Sequence, residues 1–343
     1  MELIALLMKK NNILISTFFL SKRNVVDFIL FFSTIIIFTS CQQTMQQEDG
    51  MVLIAGGDFE MGGNNQQARQ DEFPKHKVRI SAFFIDKTEV TNAAFKQFVD
   101  ATNYVTTAEK DFNFKDENGV VVHQKAGSLV FNPIKKGDVA NPNTWWKFVE
   151  GANWKHPQGP HSTIEGKDNF PVVQVSWYDA EAYCKWANKR LPTEEEWEMA
   201  ARCGLQNALY TFGNDRHGLF KKMNSWNGDF PYSNTALDGF ERCAPVMSFP
   251  PNKNQLYDMA GNVWEWCSDW YDEKYYNKCV EFSNFKNPEN KIANAALEKS
   301  MRGGSFLCND SYCSGFRVSA RMKSSAETSL EHTGFRCVKD VEQ

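Results

Sequence analysis

The chain has no surplus of positive charge. Its 38 Lys and Arg are outnumbered by 42 Asp and Glu, a net charge of −4. Nucleic-acid binding leans on a basic face, so the balance argues against a nucleic-acid partner. Nor is there an apolar run long enough for an ordinary membrane-spanning helix. The candidate, Phe28–Phe38, is about half of the roughly 20 residues such a helix needs. Histidines number six and form no compact cluster, which argues against a histidine-rich iron centre. From Met51 onward no Gly/Ser-rich or Pro-rich linker appears, so residues 51–343 read as one domain.

Aromatic residues are plentiful: 27 Phe, 10 Trp and 10 Tyr. Such side chains bury large areas, so a sizeable core is compatible with sparse regular structure. At the N-terminus, Lys22 and Arg23 precede the apolar run, and Thr39-Ser40 then lead to Cys41. Basic flank, short apolar stretch and small-residue cleavage site form the layout of a secretory signal. A cysteine at the cleavage point resembles a bacterial lipoprotein signal; an uncleaved signal anchor is the alternative. The expectation is a signal segment over 1–41, lipidation of Cys41, a polar tether over 42–50, and an exported, membrane-anchored protein in the periplasm or at the cell surface. Of the nine cysteines, eight then remain in an oxidising compartment, where an even number usually signals disulfides.

Three helices are legible. Thr91 is a plausible N-cap ahead of Ala94, Phe95, Phe98 and Val99 on one face. Ser176 with Asp179, and Thr193 with Glu196, have the spacing of capping boxes. Short strands are expected at Val52–Ala55, Val78–Ile85 and Val172–Val175. The stretch 205–337 is dense in Gly, Asn, Asp, Pro and aromatics, which favours turns and irregular loops.

Cys308 and Cys313 stand five positions apart in Arg302-Gly-Gly-Ser-Phe-Leu-Cys308-Asn-Asp-Ser-Tyr-Cys313. Thiolates are soft ligands that select soft ions such as Cu(I), and a loop-borne pair leaves room for a third sulfur from a substrate. A plain disulfide is the alternative, and in an exported protein it is the default.

Several phrases together resemble the formylglycine-generating enzyme (sulfatase-modifying factor) family. They are Met61-Gly-Gly63, Asp71-Glu-Phe-Pro-Lys-His76, Asp86-Lys-Thr-Glu-Val-Thr91, Gly151-Ala-Asn-Trp-Lys-His-Pro-Gln-Gly-Pro160 and Pro171-Val-Val-Gln-Val-Ser-Trp177. Then follow Lys189-Arg-Leu-Pro-Thr-Glu-Glu-Glu-Trp197, Gly261-Asn-Val-Trp-Glu-Trp266, Arg302-Gly-Gly-Ser305 and Gly334-Phe-Arg-Cys337. The resemblance covers nearly all of 51–340 and implies a single α/β (α+β) domain with little regular structure, related to C-type lectins.

The resemblance further implies an oxidase. Cys308 and Cys313 would hold copper, with Ser305 and Trp264 in the active site. The reaction would use dioxygen and a thiol reductant to convert a cysteine in a Cys-X-Pro-X-Arg segment of an unfolded or extended sulfatase to Cα-formylglycine. Two structural calcium ions are implied: the first at Asn224, Ser225, Asp238 and Phe240, the second at Asp258, Gly261, Val263 and Glu265. A Cys184–Cys337 disulfide is implied too; a second family bridge is missing at both ends, where Ala201 and Val318 stand. Cys203, Cys243, Cys267 and Cys279 have no assigned partners, and Cys267–Cys279 is one option.

Two departures lie near the proposed site. The family often has His-Arg where this chain has Asn309-Asp310, and Asn where it has His332. The latter is open between a site residue and a surface histidine. The superfamily also holds members without this chemistry, so a non-enzymatic lipoprotein of the same fold, serving surface assembly, motility or glycan binding, is the alternative.

Overall fold

The computed structural model describes residues 48–138, 141–281 and 286–342. The signal segment, Cys41 and most of the tether lie outside the described residues. The three expected helices form, at Asn92–Thr102, Trp177–Trp186 and Glu194–Arg202. Each starts where a side chain satisfies a free N–H of the first turn. Thr91 Oγ1 accepts from Ala94 N at 3.3 Å, and Thr193 and Glu196 bond each other's backbone at 3.1 and 3.0 Å. The shorter Asp179 still reaches back to Ser176 N, at 2.8 Å. The first and third helices end on left-handed residues, Asn103 and Cys203, a common way to close a helix.

A four-stranded sheet lies at the centre, in the spatial order Met322–Ser325, Glu298–Arg302, Trp264–Trp270 and Thr333–Gly334. The last pair is parallel and the others are antiparallel. A second sheet joins Met51–Ile54, Phe83–Asp86 and Val338–Asp340, so the two ends of the domain close on one another.

Two expected strands are corrected. The span 78–85 is two strands in different sheets, His76–Ile80 and Phe83–Asp86. Burial alternates along the first, whereas Phe83, Phe84 and Ile85 are all buried; a one-sided strand hands over to a two-sided one. Residues 172–175 form no strand. Val172, Val173 and Val175 are buried, but Gln174 has φ +60°, which breaks an extended run. Its side chain instead donates to the carbonyls of Pro157 (2.8 Å) and Leu129 (3.2 Å).

Four arginines, Arg302, Arg317, Arg321 and Arg336, are completely buried. Each meets carboxylates far away in sequence: Arg317 with Glu72, Arg321 with Glu194, Arg336 with Glu265, and Arg302 with Glu194 and Glu198. These pairs tie the segment 302–336 to elements that precede it in the chain. Burial pushes the Glu194 carboxyl up, but Arg321 and Arg302 more than reverse this and hold it at about 2.

Candidate dithiol site

The strand Glu298–Arg302 leads straight into Gly303 and Gly304, both at positive φ (95° and 78°). A Cβ on Gly304 would come 2.5 Å from Phe316 N, and one on Gly303 3.1 Å from the Trp197 ring. Only glycine lets the chain turn here against packed neighbours. The turn places Ser305, whose hydroxyl accepts from Leu307 N at 3.2 Å and whose carbonyl accepts from Cys308 N at 2.9 Å. Its own N–H donates to Cys308 Sγ at 3.4 Å. Ser305 therefore shapes the loop locally and also lines the cavity beside the cysteines.

Cys308 is 1% exposed and Cys313 partly buried. Burial, with Cys313 beside it, pushes the Cys308 thiol up; the neighbouring Cys308 holds the Cys313 thiol down. Cys313 is thus the more acidic of the two sulfurs, and the thiolate is the form that binds metals and attacks disulfides. Gly315 makes the space: a Cβ there would stand 2.7 Å from Cys308 Sγ and 2.5 Å from the Trp264 ring. Gly315→Ala is therefore expected to cost about 1–3 kcal/mol in overpacking, read by urea unfolding.

Both sulfurs open onto a cavity of about 250 Å3. Its walls include Trp145, Trp146, Phe230, Trp264, Tyr312 and His332. Phe230 stacks on Tyr312 at 4.4 Å, and Trp145 meets both edge-on at 5.5 and 5.8 Å. Trp264 lines the cavity, and so does His332, which the sequence left open and which is buried rather than on the surface. Trp145, Trp146, Phe230, Tyr312 and Arg69, also in the wall, were not singled out from sequence; they come from stretches of chain with no shared period, so no pattern marked them.

Asn309 and Asp310, between the thiols, are anchored outside the cavity wall. Asn309 Nδ2 donates to the carbonyls of Trp226 and Gly228, each at 3.2 Å, and Asp310 pairs with Arg216 at 2.6 Å. Trp226 N in turn donates to the Cys308 carbonyl at 2.9 Å. The cysteine loop thus leans directly on the first candidate calcium loop.

In that loop Asn224 Nδ2 donates to the Arg242 carbonyl (2.9 Å) and Asn262 Oδ1 (3.1 Å), while Asn224 Oδ1 is buried with no partner among the described residues. Asp238 accepts from Ser225 N and Phe240 N at 2.9 and 3.1 Å, and burial raises its carboxyl. An orphaned amide oxygen near a half-buried carboxylate suits a hard cation. At the second candidate site, Glu265 is already held by the Arg336 fork and Trp197 Nε1, all at 2.7 Å. Asp258 there accepts from Met247 N at 2.9 Å, and its charge helps push up the buried Glu89, which was not singled out from sequence and whose Oε2 has no partner among the described residues. Among the described residues no three His, Cys, Asp or Glu side chains converge on one point, so a metal at any of these places needs carbonyl, amide or substrate donors as well.

Cys184 and Cys337 lie side by side, sulfur to sulfur 3.1 Å, as unbonded thiols. Cys267 and Cys279 share one core cluster, also unbonded.

The structure is a largely irregular α/β domain with an unbonded thiol pair in the wall of an aromatic cavity. The chain belongs to the sulfatase-modifying factor enzyme 1-like domain family, whose model matches residues 38–341. It is 44% identical to the formylglycine-generating enzyme of Mus musculus over 286 residues, covering 83% of this chain and 73% of that one. It is likewise 44% identical to the formylglycine-generating enzyme of Streptomyces coelicolor over 290 residues, covering 83% and 88%. A relative named inactive Cα-formylglycine-generating enzyme 2, from Bos taurus, matches at 37% over 82% of this chain and 85% of its own, so activity has to be argued from the site. Among solved structures, PvdO from Pseudomonas aeruginosa superposes with a TM-score of 0.56 at 23% identity, over 85% of this chain and 94% of that one, a likeness of fold alone.

Proposed function

We propose that this protein is a formylglycine-generating oxidase that activates sulfatases. The observation that carries the reading is the Cys308–Cys313 pair in the wall of the aromatic cavity. The substrate is a cysteine in a Cys-X-Pro-X-Arg segment of an extended polypeptide. Its C–S bond and one C–H bond break and a C=O bond forms. One molecule of dioxygen supplies the aldehyde oxygen and leaves its other atom as water. The sulfur departs as hydrogen sulfide, and two molecules of an external thiol are oxidised to a disulfide.

Cu(I) bound to Cys308 and Cys313 would supply the one-electron chemistry by which dioxygen is activated. The chain's own residues do the rest. Gly303, Gly304 and Gly315 let the loop fold so that the two sulfurs meet. The Ser305 N–H supports Cys308 Sγ. Trp145, Trp146 and Trp264 exclude water, and the apolar walls suit the proline of the segment. The test is mass spectrometry of a Cys-X-Pro-X-Arg peptide incubated with the protein, Cu(I), air and a thiol. Conversion of the cysteine side chain to an aldehyde supports the reading; an unchanged peptide with copper supplied sinks it.

Calcium at Asn224, Ser225, Asp238 and Phe240 would stiffen the loop on which the cysteine loop leans. A second ion at Asp258, Gly261 and Val263 would be offset by Glu89 as much as by Glu265. Saturating calcium at about 100 times its Kd contributes about 2.7 kcal/mol. Chelation with EGTA is then expected to lower Tm by about 5–10 °C, and Asn224→Leu to remove most of that difference. An identical Tm with EGTA and with calcium would remove calcium from the proposal. Export, lipidation of Cys41 and a Cys184–Cys337 bridge in the oxidised protein complete the reading.

A further inference from the structure

His332 belongs to the same cavity, and neither the dithiol nor the calcium loops use it. It is 6% exposed and lines the cavity with Trp146, whose ring centroid is 4.8 Å away. Its backbone is fixed: the His332 carbonyl accepts from Trp264 N at 2.8 Å, and Thr333 pairs with Trp264 in the central sheet. Nδ1 is sealed from solvent and has no hydrogen-bond partner among the described residues. The ring's opposite edge is therefore the part that can meet a ligand. Burial pulls the group down to about 3. The ring is thus neutral, with one N–H and one lone pair.

An N–H buried without an acceptor is the rarer and costlier of the two unsatisfied states. The tautomer with its lone pair on sealed Nδ1 and its proton on Nε2 is accordingly favoured, and it aims a donor into an otherwise mostly apolar cavity. A peptide entering such a cavity loses water from its backbone carbonyls, each of which needs a replacement donor.

We infer that His332 is a positioning residue that donates one hydrogen bond from Nε2 to a backbone carbonyl oxygen of the bound substrate peptide. This rests on the proposed function, since it presumes a peptide in the cavity. It takes no part in the redox step and moves no proton.

The test uses the full chain and two peptides: a Cys-X-Pro-X-Arg peptide for turnover, and its Cys-to-Ser analogue, which cannot be oxidised, for binding by calorimetry. His332→Leu keeps the volume and removes the donor; His332→Gln restores a donor at the reach of Nε2. With Leu, peptide binding is expected to weaken about tenfold, and KM to rise by a similar factor with kcat within twofold. With Gln, most of the affinity returns. Cu(I) stoichiometry by chelator competition stays unchanged in both. Wild-type affinity in His332→Leu, failure of Gln to rescue, or loss of Cu(I) in either variant overturns the inference while leaving the oxidase reading intact. If the wild-type protein neither binds nor converts peptide, the oxidase reading falls and this inference with it.

Discussion

Arg336→Leu is expected to destabilise the domain by about 3–5 kcal/mol, enough to leave much of it unfolded at 37 °C. The guanidinium is fully buried and makes two 2.7 Å bonds to Glu265. It also donates to the carbonyls of Asp86 (3.1 Å), Lys87 (3.3 Å) and Tyr257 (2.9 Å). Without it, Glu265 becomes a buried, unpaired charge near Glu89 and Asp258, and three carbonyls lose a donor. The Coulomb gain of the intact pair is largely offset by desolvation. The cost therefore comes from what is stranded.

A double change, Arg336→Leu with Glu265→Leu, is accordingly expected to recover part of the loss, although Trp197 Nε1 then lacks its acceptor. Arg79→Ala, in a pair whose side chains are 65% and 58% exposed, is expected to cost less than about 1 kcal/mol. Urea unfolding of the wild type and the three variants checks the order. Equal losses for Arg336→Leu and Arg79→Ala would contradict the dominance of burial in setting these costs.

That network shows what the sequence could and could not reveal. Capping residues sit three positions apart, so Thr193 with Glu196 is visible by inspection, and the helix follows. The Gly303-Gly304 turn and the spacing of Cys308 and Cys313 are equally local. The partner of Arg317 is Glu72, 245 residues away, and nothing in the neighbourhood of either names the other. The cavity is the same kind of object: Trp145, Phe230, Trp264 and His332 meet because separate stretches of chain converge. Local apolarity even misled at Val172–Val175, where burial on all sides reads like a strand and the left-handed Gln174 prevents one. The orphaned oxygens of Asn224 and Glu89 likewise emerge only once the loops are folded around them.

The second large effect is at the dithiol. Cys308→Ser and Cys313→Ser are each expected to abolish aldehyde formation, because an alcohol is neither a soft ligand nor a thiolate at neutral pH. The two differ before any metal is added. Cys313 is the more exposed and the more acidic sulfur, so it is expected to react first with an alkylating agent. Loss of Cys308 should slow that reaction by removing the neighbour that holds the Cys313 thiol down. A structural bridge would behave otherwise: either serine variant would lower Tm by several degrees and leave the chemistry of the cavity in place.

The most direct measurement sets these readings against each other. Wild type, Cys308→Ser and Cys313→Ser are loaded with Cu(I), given a Cys-X-Pro-X-Arg peptide, oxygen and a thiol, and the peptide is weighed by mass spectrometry. The expected result is aldehyde with wild type and none with either variant, all three proteins remaining folded. Aldehyde formation by a folded serine variant at the wild-type rate would contradict the assignment of Cys308 and Cys313 as the reactive centre.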